Sequence, residues 1–167
     1  MDIVISGPVG LEGTAGLAVK YRDRLAERYS EAYICRAESF CSRTAACPED
    51  CEVTETGSDG ISGALWHMAK ERGCGFRIDL RAIPLMQETV EFCNLLDLDP
   101  YRLDSGKCRL FLCESGAKLL WMLREQGFED AAIVGHTTGD HKKILLYDGV
   151  ERYLTPPERE NKGGESC

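Results

Sequence analysis

Apolar positions along this chain change period several times, and each change marks an element. Residues 2–6 (DIVIS) form a short apolar run and predict a buried strand, immediately after Met1. A turn follows with glycine at every third position: Gly7, Gly10, Gly13 and Gly16. Leu11, Ala15, Ala18, Val19, Leu25 and Ala26 then recur near one face of a helix extending to about Tyr29. Ser30 is placed to cap a second helix over residues 31–46, with Pro48 closing it. Residues 52–56 predict a strand, and Gly57, Ser58, Asp59 and Gly60 a turn. Ile61, Ala64, Leu65, Met68 and Ala69 stand at i, i+3, i+4, i+7 and i+8, a helix that Gly73 stops.

Residues 75–80 predict a strand. Pro84 opens a helix through Asp97, with Met86, Val90, Cys93 and Leu96 inward. Residues 107–113 form an apolar strand, Ser115 caps the next helix, Gly127 ends it, and residues 131–135 make another buried strand. Two further strands, residues 143–147 and 150–154, flank Asp148-Gly149, a type I′ hairpin signal. Beyond Pro156-Pro157 the segment 158–167 is polar and reads as a flexible tail. Helices and strands intermix without strict βαβ alternation. The predicted class is therefore α+β, a mixed sheet with helices packed on it, as one domain over residues 1–157.

Composition narrows the function classes. The 167 residues carry 20 Lys+Arg against 28 Asp+Glu, a formal charge of -8. That balance opposes non-specific binding to nucleic acid or to anionic membranes, both polyanions. It leaves open a small anion in a local pocket. No stretch is long and apolar enough for a spanning helix, and no basic-then-apolar leader opens the sequence. Nine cysteines, an odd count in a chain large enough to build its own core, read as free thiols of a reducing cytoplasm. Cys35, Cys41, Cys47 and Cys51 cluster, but without the close pairs usual at zinc or iron–sulfur sites. No metal site is assigned, and a metal-bound or redox variant of that cluster is a third, weaker reading. His67, His136 and His141 show no zinc-helix spacing and read as structural or solvated, and Trp66 and Trp121 as core or partner-facing.

The candidate chemistry sits in the two glycine-rich turns. Each lies between a strand and a helix, where absent Cβ atoms let backbone amides approach an anion at the electropositive helix end. Neither turn matches a P-loop or GxGxxG, and a plain capped turn explains either one alone. Glu12, Glu55 and Asp59 oppose a bare phosphate unless Mg²⁺ bridges them.

The residues DIVISGPVGLEGTAGLA resemble the opening of the C-terminal domain of the AIR synthase-related superfamily, especially its hydrogenase maturation factors of the HypE type. The resemblance continues through residues 55–69, through IPLMQETVEFCNLLDLDP at 83–100, and through Ser105-Gly106-Lys107 and residues 132–135. It implies that this domain, an α+β sandwich, leans over a nucleotide held by an N-terminal MgATP-binding and dimer-forming domain. The abrupt start at strand 2–6 suits a second half of such a protein. The chemistry implied is ATP-dependent: an amide or carbonyl oxygen is activated by phosphorylation and then lost. In the maturation branch a C-terminal cysteine carries a carbamoyl group, which points to Cys167.

On this resemblance the ligand contacts are Gly10, Gly13 and Thr14 in the first turn, and Thr56, Gly57, Ser58 and Gly60 in the second. Asp59 would serve a metal or a substrate hydroxyl, and Asp59 and Cys167 are the catalytic candidates. The isolated chain is expected to bind no cofactor tightly and to be inactive alone. Two departures stand out. Glu55, Gly57 and Asp59-Gly60-Ile61 replace the family's Asp or His, Thr and Gly-Gly-Leu. The end reads Gly-Glu-Ser-Cys, where Glu165 and the terminal carboxylate disfavour a Cys167 thiolate. The alternative function is a non-enzymatic interaction or regulatory module that dimerises or binds a maturation partner.

Overall fold

A computed structural model of the chain describes residues 1–157. The tail reading and Cys167 lie outside the described residues.

Seven strands form one mixed sheet: β1 (Asp2–Ile5), β2 (Glu52–Glu55), β3 (Gly75–Asp79), β4 (Arg109–Cys113), β5 (Ala132–Thr138), β6 (Lys143–Tyr147) and β7 (Val150–Tyr153). The spatial order is β2-β4-β1-β5-β3-β6-β7. Every pairing is antiparallel except β3 with β6. Six α-helices accompany it: α1 (Leu11–Lys20), α2 (Arg22–Ala26), α3 (Glu31–Glu38), α4 (Gly60–Arg72), α5 (Gln87–Leu96) and α6 (Gly116–Glu125). The predicted α+β class is the observed one. No helix among the described residues is long and apolar enough to cross a membrane.

The period-2 alternation of strands sorts side chains into two cores. Ile3 and Ile5 of β1, with Leu110 and Leu112 of β4, pack with Ile61, Leu65 and Met68 of α4. The intervening Val4, Phe111 and Cys113 meet Leu119 and Leu123 of α6 on the other face. Because α4 and α6 cover opposite faces, β1 and β4 read in sequence as continuous apolar runs rather than alternating ones. A third cluster, with Leu17, Ala18, Leu25, Ile34, Ala37, Phe92 and Cys93, ties α1, α2 and α3 to α5.

Caps and turns follow the sequence signals in places. Ser30 and Ser115 accept from the amides of Tyr33 and Lys118. Gly73 ends α4 in the left-handed region, and Asp148 and Gly149 both take positive φ in the β6–β7 hairpin.

Two helix predictions need correction. The helix expected to reach Tyr29 breaks at Tyr21, whose φ and ψ of -112° and 26° leave the helical region. The break seats Leu25 beside Ile34 and Phe92, while Val19, expected inward, is 68% exposed. The helix expected over 31–46 stops at Glu38. There the Ser39 hydroxyl donates to the Arg36 carbonyl, and the Ser39 and Phe40 amides tighten onto i−3 carbonyls. Residues beyond Phe40 exchange helical bonds for tertiary ones, described below. Val90, expected inward on α5, is exposed, and so is Trp121 on α6.

Candidate functional site

Both glycine turns are fastened to one strap, the segment 99–108 that precedes β4. On one side the Gly10 amide donates to Ser105 Oγ at 2.8 Å, and the Gly13 amide to the Asp104 carbonyl at 2.8 Å. On the other, the Gly57 carbonyl accepts from the Ser105 amide at 2.9 Å. A Cβ on Gly13 would stand 2.7 Å from the Leu103 Cβ, and one on Gly60 2.6 Å from the carbonyl oxygens of Tyr101 and Leu103. Glycine is required at these positions by close approach of the chain's own backbone.

The sequence-derived contacts therefore divide. The Gly10 and Gly13 amides serve the strap. Thr14 is fully buried inside α1, donating to the Gly10 carbonyl at 2.7 Å and hydrogen-bonded to Thr89 at 2.7 Å. It does not cap the helix, whose N-cap is Gly10. Thr56 is also buried, its hydroxyl donating to the Cys108 carbonyl at 2.7 Å. Gly60 is buried against the strap. Gly57, Ser58 and Asp59 form a single 3₁₀ turn leading into α4, with Ser58 exposed and Asp59 half-buried.

Cys108 joins the two turns. Its thiol donates to the Gly7 carbonyl at 3.5 Å and accepts from the Ser6 hydroxyl at 3.6 Å. Its carbonyl accepts from the Thr56 amide and hydroxyl. Cys108 thus touches Gly7 on one side and Thr56, the neighbour of Gly57, on the other, and at Gly7 and Gly57 a Cβ would meet nothing within 4 Å. Burial pushes the Cys108 thiol pKa up, which keeps it protonated and a weak nucleophile.

A third wall was hidden in the sequence by the over-long helix. Glu12 Oε1 accepts from the Ser42 amide at 2.7 Å and the Ser42 hydroxyl at 2.5 Å. The Lys107 amide donates to Ser42 Oγ at 2.7 Å. Arg43 donates to the Gly127 carbonyl at 3.0 Å, its guanidinium 4.5 Å from the Phe128 ring centre. Ser39, Ser42 and Arg43 near the end of the helix predicted over 31–46 are the available signal, but their spacing is compatible with a helix. A cleft of about 320 Å³ opens between Gly7-Pro8, Cys41–Arg43 on the third wall, and Phe128. A second, of about 390 Å³, is bordered by Ser58, Asp59, Asp97, Asp99 and Arg102. The first sets Arg43 beside Glu129 and Asp130, and the second is rich in carboxylates, so both suit an anionic group that a cation bridges. No group of three or more His, Cys, Asp or Glu side chains able to hold a metal occurs among the described residues.

Comparison with known proteins places this geometry. The chain is 27% identical over 141 residues to a carbamoyl dehydratase HypE of Rhodobacter capsulatus, covering 83% of this chain and 42% of that protein. It is 37% identical over 86 residues to the hydrogenase expression/formation protein HupE of Azotobacter chroococcum, covering 48% and 25%. It thus spans less than half the length of these relatives. Among solved structures, E. coli HypE superposes with a TM-score of 0.73 at 21% identity, over 93% of this chain and 49% of that one. A HypE solved in complex with ATP gives 0.72 at 21%, over 93% and 50%. A thiamine-monophosphate kinase from Stenotrophomonas maltophilia gives 0.59 at 18%, over 89% and 50%, so the fold is common to both kinds of protein. Residues 3–148 match the family model described as AIR synthase related protein, C-terminal domain, and the chain belongs to that family.

Proposed function

We propose that this chain supplies the phosphate- and substrate-facing half of an ATP-dependent site of the hydrogenase-maturation kind, completed by a separate nucleotide-binding unit. The observation that carries this reading is the pair of open glycines, Gly7 and Gly57, in two turns that Cys108 ties together through Gly7 and Thr56. Neither glycine is needed by internal packing, unlike Gly13 and Gly60, so both leave room for a ligand to approach the backbone. Arg43 at the first cleft adds a cation beside the carboxylates of Glu129 and Asp130, which suits a phosphate that arrives with its Mg²⁺. Similarity to HypE proteins, one of them solved with ATP, supports the nucleotide.

In this reading Gly7, Gly57, Ser58 and Arg43 contact ligand, and Asp59 meets a nucleotide-borne Mg²⁺ or a substrate hydroxyl. The residues present offer Mg²⁺ no cage of their own, so the ion would arrive on the phosphates, its usual mode of binding. The buried Gly10, Thr14, Thr56 and Gly60, with the half-buried Gly13, position these groups. Cys167 is the candidate carrier thiol.

The test is a titration of the isolated chain with MgATP followed by amide NMR shifts. Half a site should bind weakly, with a Kd of about 1 mM or higher, worth roughly 4 kcal/mol or less. The shifts should concentrate at Gly7, Cys41–Arg43 and residues 57–59. Shifts confined to other surfaces, none at all, or micromolar binding would each overturn the half-site reading.

A second reading, an interaction module, has one observation in its favour. Tyr147 and Val150, paired across the β6–β7 hairpin, are 55% and 68% exposed. Light scattering on the purified chain decides whether that surface holds two copies together.

A further inference from the structure

The β2–β4 ladder pairs Glu55 with Arg109, Thr54 with Leu110, Val53 with Phe111 and Glu52 with Leu112. One step further along the same register sets Cys51 opposite Cys113. The kind of pair can be worked out. The Thr56 amide donates to the Cys108 carbonyl, which makes Thr56 and Cys108 a hydrogen-bonded pair. Pair types alternate along an antiparallel ladder, so 54/110 and 52/112 are of that type and Cys51/Cys113 is not. In a pair without those bonds the Cα atoms lie about 4.5 Å apart and the side chains stand closest. Disulfides span Cα separations of about 4.4–6.8 Å.

Both thiols line one cleft, where Cys51 Sγ donates to Asp50 Oδ1 at 3.8 Å and Cys113 Sγ to the Asp2 carbonyl at 3.9 Å. Cys113 is buried with Phe111 and Leu119, and Cys51 packs half-buried against the same cluster. A cleft of about 240 Å³ beside Lys118 and Met122 gives the pair access to solvent. Cys47 is exposed and close by, its thiol donating to the Cys51 carbonyl at 3.5 Å.

We propose that Cys51 and Cys113 form a reversible dithiol–disulfide site that closes by exchange with a small-molecule disulfide. The Cys51 thiolate attacks one sulfur of the small disulfide, forming a mixed disulfide. The first small thiolate departs and takes up the proton that Cys51 lost. The Cys113 thiolate then attacks the Cys51 sulfur, breaking the mixed bond and releasing the second small thiol. Two protein thiols are oxidised and one small disulfide is reduced to two thiols. Burial raises both protein thiol pKa values, Cys113 to about 11, so exchange is slow at neutral pH and quickens as pH rises. β2 is a sheet edge with β4 as its one neighbour, so the bond would fasten the edge just after the segment that carries Ser42 and Arg43. This site stands apart from the nucleotide reading and survives its failure.

The experiment uses the full 167-residue chain, reduced and then incubated with oxidised glutathione. The mixture is quenched in acid, alkylated in denaturant, digested and read by mass spectrometry. The expected result is a dominant Cys51–Cys113 cross-link, reversed by dithiothreitol and retained in Cys47→Ala. Cys51→Ala, at a half-buried position that tolerates the change, should leave Cys113 fully alkylated. A glutathione adduct on Cys51 that never resolves onto Cys113 would overturn the proposal. So would cross-links or adducts confined to Cys35, Cys41 and Cys47, or a dominant Cys47–Cys51 bond.

Discussion

The Gly10 amide donates to the Ser105 hydroxyl at 2.8 Å, across 95 residues of sequence, and the same hydroxyl donates to the Leu103 carbonyl at 3.1 Å. This one side chain satisfies the start of α1 and holds the strap's own bend. Replacing Ser105 by Ala leaves a buried N–H without a partner, which costs roughly 1–3 kcal/mol. Urea unfolding should show a lower midpoint with an unchanged m-value. An unchanged midpoint would mean that water replaces the hydroxyl.

The glycines of the second turn should separate in the same assay. Gly60 has φ 67° and an added Cβ would stand 2.6 Å from two carbonyl oxygens, so Gly60→Ala combines backbone strain with a clash, about 2–5 kcal/mol together. Gly57 has φ 55° but open space, so Gly57→Ala should cost only the strain, about 1–2 kcal/mol. Gly7 has neither burden, and Gly7→Ala should leave stability within about 0.5 kcal/mol while weakening any MgATP-induced shifts. Equal losses at Gly60 and Gly57 would contradict the close approach of the strap.

Ser42 holds the segment after α3 through Glu12 Oε1 and the Lys107 amide. Ser42→Ala removes the hydroxyl bonds and keeps the backbone one. Hydrogen exchange should accelerate at residues 40–46 and at Lys107, with the α4 and β1 amides unaffected. Uniform acceleration through the sheet would show that the segment is part of the global unit.

Alkaline pH should destabilise the fold. Burial pushes the thiols of Cys93 and Cys113 up to about 11 from an ordinary value near 9. Between those values the unfolded chain has released its thiol protons and the folded chain still holds them, so unfolding gains as pH rises. The stability associated with these thiols is fully present below about pH 9 and is lost on approach to pH 11. Cys93→Ala should flatten the slope of urea midpoint against pH in that window, and an unchanged slope would place the alkaline sensitivity elsewhere.

Local chemistry made much of this fold legible. β1 and β4 were visible as apolar runs because helices cover both faces of the central sheet. The β6–β7 hairpin was visible because Asp148 and Gly149 accept the positive φ that the turn demands. The helix pattern over 31–46 runs past the true end at Glu38 because nothing local in Cys41, Ser42 and Arg43 forbids a helix, and only distant groups, Glu12 and Lys107, draw them out of it. Of the candidate site, the two glycine turns were found but their glycines could not be told apart. Gly13 and Gly60 differ from Gly7 and Gly57 through what stands opposite, and the strap at 99–108 is remote in sequence.

The sequence by itself determined the identity of most elements, the Ser30 and Ser115 caps, the Asp148-Gly149 turn, the α+β class and the net charge of -8, because these depend on neighbours within a few residues. Tertiary structure alone decided the strand order, the parallel pairing of β3 with β6, the internal use of the Gly10 and Gly13 amides, and the register that sets Cys51 opposite Cys113. Each of those joins groups far apart along the chain, and their energies appear only once the two faces of the sheet have closed under α4 and α6.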